Sequence, residues 1–94
     1  MTLFYLEVDL HLPEAHSLKE KRMPLESLKA GLKNHFNISL LEIGDRNKWQ
    51  RATLALTGLA GSDAQADQIM DKLLAYIDRT WVGEALVQDR LYLL

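Results

Sequence analysis

Residues 3–12 alternate between apolar and polar. Leu6, Val8, Leu10 and Leu12 fall on one side, and Tyr5, Glu7, Asp9 and His11 on the other. A period of two over this length predicts a strand with one face buried and one facing water. Pro13 closes it, and Ser17 with Glu20 three residues later makes the S-x-x-E pattern that caps a helix start. Leu18, Leu25, Leu28 and Leu32 follow at spacings of seven, three and four, which predicts a helix to about His35. Pro24 lies inside it. A proline there removes a backbone hydrogen bond and crowds the preceding turn, so a kink or a restart is expected.

Residues 37–43 read as a second strand, with the adjacent Leu40 and Leu41 marking a bulge. Gly44-Asp45-Arg46-Asn47 is a polar turn. Residues 49–60 alternate again, Ala52, Leu54 and Leu56 inward, Trp49, Arg51, Thr53 and Thr57 outward. Ser62 and Gln65 form a second capping box before a helix striped with Ala66, Ile69, Met70, Leu73, Leu74 and Ile77. Gly83 separates this helix from a last strand over residues 85–93. The order βαββαβ, joined by right-handed crossovers, predicts an α+β, ferredoxin-like sandwich: a four-stranded antiparallel sheet with both helices on one face. Ninety-four residues make one domain of this kind, residues 1–94.

Composition narrows the chemistry. Eleven Lys and Arg against thirteen Asp and Glu leave a formal charge of −2, which argues against a wholly electrostatic grip on nucleic acid. The chain has no cysteine, so disulfides, thiolate metal sites and Cys nucleophiles are excluded. Residues 1–12 lack a targeting pattern and no stretch is apolar enough to span a bilayer, so a cytoplasmic chain with no membrane partner is expected.

The topology gathers Lys19, Lys21, Arg22, Arg46, Lys48, Arg51 and Arg79 at one end of the sandwich, opposed by Glu14, Glu20, Asp45, Asp78 and Glu84. The first helix is basic, with five cations and two carboxylates over residues 17–35; residues 63–80 carry two and four. Lys19, Lys21, Arg22, Lys48, Trp49 and Arg51 are therefore the candidate contacts to RNA, through a basic helix N-terminus and its free backbone N–H groups. The bland alternative is a solvated face with ordinary ion pairs.

The uncovered sheet face is the second candidate, showing Tyr5, Glu7, His11, Trp49, Arg51 and Tyr92, with Arg90 beside them. Aromatic rings with a guanidinium can stack unpaired bases, but Glu7 and Asp9 repel a phosphate backbone. The same residues suit a cross-strand ion pair between Glu7 and Arg51, or a sheet-to-sheet homodimer. Asp9, His11 and His16 have no recognised metal-ligand spacing. Acylphosphatase chemistry needs a glycine- and arginine-bearing phosphate loop after the first strand, and residues 11–17 contain neither. No catalytic residue, metal or cofactor is assigned.

The runs Asp9-Leu10-His11-Leu12-Pro13, Ala15-His16-Ser17-Leu18-Lys19-Glu20-Lys21-Arg22, Phe36-Asn37-Ile38-Ser39 and Trp49-Gln50-Arg51-Ala52-Thr53 are distinctive. Across essentially the whole chain they resemble the YlxP-like family of small bacterial proteins, also called domain of unknown function 503. The resemblance implies a ferredoxin-like fold and no established activity. It also implies, by gene neighbourhood alone, a link to RNA or ribosomal particles. The matching residues His16, Ser17, Lys19, Lys21, Arg22, Trp49, Gln50 and Arg51 lie at the end the topology gathers. Pro24 departs from the family pattern, which has an aliphatic or charged residue there.

Overall fold

The alternating and helical patterns become six elements in the expected order. The computed structural model describes residues 1–44 and 50–93. Within them lie β1 (Thr2–His11), α1 (Leu18–His35), β2 (Ser39–Ile43), β3 (Arg51–Ala60), α2 (Asp63–Thr80) and β4 (Glu84–Tyr92). The strands form one antiparallel sheet in the order β2-β3-β1-β4, with β1 and β3 central, the ferredoxin-like α+β arrangement.

One core holds it together. Phe4, Leu6, Val8 and Leu10 of β1 and Ala52, Leu54 and Leu56 of β3 are buried against Leu25, Leu28 and Leu32 of α1 and Ala66, Met70, Leu73 and Ile77 of α2. Both helices thus cover the same sheet face and leave the other open. Fully burying each Leu, Ile, Phe or Met contributes roughly 1.5–3 kcal/mol, so this single layer dominates the stability.

The helix starts are built alike. Ser17 Oγ accepts from Glu20 N and Ser62 Oγ from Gln65 N, each at 3.1 Å. The Glu20 carboxylate accepts from His16 N and the Gln65 amide oxygen from Gly61 N, one residue before each cap. α1 runs unbroken through Pro24, so the expected restart does not occur. Pro24 lies in the second turn and costs one bond, to the Glu20 carbonyl, while Leu25, Leu28 and Leu32 hold the following turns to the core.

Two further expectations are corrected. Leu18 is exposed, and Lys21 takes the inward position one turn before Leu25. β2 pairs with β3 in continuous register, so Leu40 and Leu41 simply face opposite sides and mark no bulge. The irregularity lies instead between β1 and β4. Glu7 is opposite Asp89 while Val8 is opposite Val87, which leaves Gln88 as the extra residue. No helix among the described residues is long and apolar enough to cross a membrane.

Candidate functional site

At the end where β1 runs into α1, the cations expected on the surface are largely engaged. Lys21 is 1% exposed, and its ammonium donates to the Arg51 carbonyl at 3.1 Å. It is therefore no surface contact for a ligand. Its position on the inward stripe of α1 buries the stem, and the start of β3 supplies an acceptor for the head. Gln50 completes the junction. Its carbonyl accepts from Leu12 N at 2.9 Å, and its side-chain amide donates to the carbonyls of Pro13 and Ala15. Trp81 Nε1 donates to the His11 carbonyl at 3.1 Å from the other side. The runs around Lys21 and Gln50 thus interlock as a clamp on the β1–α1 connection. Sequence reasoning placed Gln50 at this end without assigning it a role; its neighbours in sequence give no sign that it satisfies two loop carbonyls.

Arg22 turns along α1 instead, with Nη1 3.2 Å from Glu26 Oε1 and 3.6 Å from Glu42 Oε1. Lys19 is exposed. Arg51 is exposed and its Nε donates to His11 Nε2 at 3.2 Å, which requires that ring nitrogen to be unprotonated. The register sets Arg51 opposite His11 and Ala55 opposite Glu7, so the expected Glu7–Arg51 ion pair gives way to this contact. Arg79 lies over the Tyr76 ring, 5.4 Å from its centroid. That ring packs on His35 and Phe36, so Arg79 is drawn toward the opposite end of α1 from Lys19. Arg46, Lys48 and Trp49 lie outside the described residues.

The open sheet face is polar at one end and apolar at the other. Thr53 Oγ1 donates to Asp9 Oδ1 at 2.6 Å, beside the His11–Arg51 pair. Tyr5 donates to Glu7 Oε1 at 2.7 Å. That bond holds the phenol protonated and pushes its pKa up to about 12, with burial and the charges of Glu7 and Asp89 acting in the same direction. Around this row stand large exposed aliphatics: Leu59 at 61%, Leu41 at 59% and Leu86 at 52%, with Leu91 and Leu93 close behind. A hollow of about 210 Å³ opens between Tyr5, Leu41, Ala55 and Thr57.

Tyr92 is not on this face. Its hydroxyl donates to Asp67 of α2 at 2.6 Å, and Arg90 donates to Asp71 at 2.8 Å and to the Asp67 carbonyl. The extra residue Gln88 shifts the alternation of β4 by one, so residues 90 and 92 point to the helices and residues 89 and 91 to the open face. Leu91 thus takes the place the sequence reading gave to Tyr92.

No group of three or more His, Asp or Glu among the described residues converges as a metal site. The open face thus carries exposed leucines around internally bonded polar groups.

Two comparisons bear on the chain. The family model described as "Protein of unknown function (DUF503)" matches residues 3–90. "Uncharacterized protein YlxP" of Bacillus subtilis (strain 168) is 34% identical over 74 residues, covering 79% of this chain and 80% of that protein.

Proposed function

Since the chain belongs to the DUF503 family, whose description carries no activity, we propose from its surfaces that it is a non-enzymatic interaction module that pairs with a second copy through the open sheet face. The observation that carries this reading is the exposed set Leu41, Leu59, Leu86, Leu91 and Leu93 on one uncovered face. Exposed apolar side chains gathered on one face mark association sites. The polar row inside it is already satisfied: Tyr5 by Glu7, Asp9 by Thr53, His11 by Arg51. These bonds lower the cost of covering the row, and the carboxylates of Glu7, Asp9 and Asp89 are the charges that a contact here has to keep solvated. Face-to-face contact is favoured over edge-to-edge contact along β4, because the irregularity at Gln88 interrupts the hydrogen-bonding row of that edge.

Replacing Leu41 and Leu91 by Asp leaves the core untouched and places two charges in the contact. Sedimentation velocity over a concentration series should show the wild type moving toward twice its monomer mass and the double variant remaining a monomer. Identical behaviour of the two proteins counts against the reading.

A second reading, contact with RNA or a ribosomal particle, rests on Lys19 and Arg51, which stay exposed at the clamped end. Binding to ribosomal RNA at two salt concentrations tests it. Lys19→Ala with Arg51→Ala should lower both the affinity and its salt dependence, and an unchanged salt dependence removes the reading.

A further inference from the structure

On the sheet edge opposite β4, α1 and β2 enclose a groove of about 350 Å³ lined by Arg22, Lys29 and Lys33 of the helix and Leu40, Leu41 and Glu42 of the strand. β2 is an edge strand. Its inner side pairs with β3, and no described strand pairs with its outer side, so a row of backbone N–H and C=O groups faces outward there. The charges around it are ordered. Glu42 lies on the helix side of β2 with its side chain 5% exposed, 3.4 Å from Lys29 Nζ and 3.6 Å from Arg22 Nη1. The same two cations reach Glu26 Oε1 at 3.3 and 3.2 Å. Among the described residues, Glu26 and Glu42 thus pair with Arg22 and Lys29, and the exposed Lys33 adds one positive charge to the groove.

The spacing of Lys29 and Lys33 matches an extended chain. Lys33 and Lys29 are four helical residues apart, about 6 Å along the axis, and Arg22 lies about 16 Å from Lys33. Side chains on one face of a strand recur every 6.7 Å or so. A strand laid along β2 would set alternate side chains opposite Lys33 and Lys29, and a third within reach of the long Arg22 side chain. The side chains between them would lie beside the exposed Leu41 on the open sheet face.

We propose that this groove takes an extended acidic segment of a partner protein, added to β2 as a fifth strand, with carboxylates at alternate positions facing α1 and aliphatic side chains between them. Main-chain hydrogen bonds along β2 supply the adhesion. Lys33, the cation that Glu26 and Glu42 leave unbalanced, supplies the selection for acidic over basic sequences.

The test is titration of the isotopically labelled full chain with two soluble seven-residue peptides, one alternating Glu and Val and one alternating Lys and Val, followed by amide chemical shifts. The acidic peptide alone should saturate, with the largest shifts at residues 39–43. Lys33→Glu, an exposed change that leaves the core intact, should weaken binding about tenfold, the effect of one well-placed charge. Four results would overturn the proposal: no saturation by the acidic peptide, equal binding of the basic peptide, shifts centred outside residues 39–43, or no response to Lys33→Glu. Displacement of the peptide by a uridine oligonucleotide of equal charge would also overturn it, and assign the groove to nucleic acid.

Discussion

Lys21 occupies a core position with its stem packed inward and its ammonium bonded to the Arg51 carbonyl. Lys21→Met keeps most of the stem and forfeits the bond to the Arg51 carbonyl, an expected cost of about 1–2 kcal/mol. Lys21→Ala adds a cavity and should cost about 3 kcal/mol. Lys19→Ala, two residues away and exposed, should stay within about 0.5 kcal/mol. Urea unfolding of the three variants checks this ranking, and equal midpoints for Lys19→Ala and Lys21→Ala would return Lys21 to the surface. The burial was half legible in the sequence: residues 21, 25, 28 and 32 fall on one helical stripe. The charge of Lys21 outweighed that spacing in the reading, because its acceptor sits thirty residues away and no local pattern shows it.

Tyr5 gives a second prediction at this scale. Its folded pKa of about 12 lies above the ordinary 10.0. The neutral phenol therefore stabilises the fold fully below pH 10, and that contribution is lost as the pH rises through about 12. Absorbance titration should find one tyrosine ionising near pH 12, and Glu7→Gln should move it back toward 10. A titration unmoved by Glu7→Gln would separate the shift from this hydrogen bond.

At the scale of elements, the two caps should behave alike. Ser17→Ala and Ser62→Ala are each expected to cost about 1 kcal/mol, read as a drop in thermal or urea midpoint. Gly83 is a sharper case, because a Cβ there would come within van der Waals overlap of the His11 carbonyl oxygen. Gly83→Ala should therefore loosen the junction of β4 with β1, seen as faster hydrogen exchange at residues 84–86; unchanged exchange would mean the backbone can yield there. Strand periodicity located β1 and β3 well, since both are central and half-buried along their whole length. β4 resisted the same reading. One extra residue at Gln88 reverses the facing of everything after it, and a bulge is set by pairing with β1 rather than by any residue within β4.

At the scale of the molecule, the order of elements was enough to predict the sheet order and the side the helices cover. The handedness of crossovers leaves few alternatives for two split βαβ units. The surfaces were less legible. Which cations remain exposed depends on long-range partners: Arg51 for Lys21, Glu42 for Arg22, Asp67 and Asp71 for Arg90. The border of leucines on the open face was legible only in part, because the sequence reading placed aromatic and charged residues there and passed over Leu59, Leu86 and Leu91.

The central claim, that two copies meet through this face, is tested most directly by light scattering on the wild-type chain from micromolar to millimolar concentration. Pairing predicts a weight-average mass that rises from 10.7 kDa toward twice that value and levels there. A mass that stays at 10.7 kDa throughout, or climbs without levelling, would contradict it.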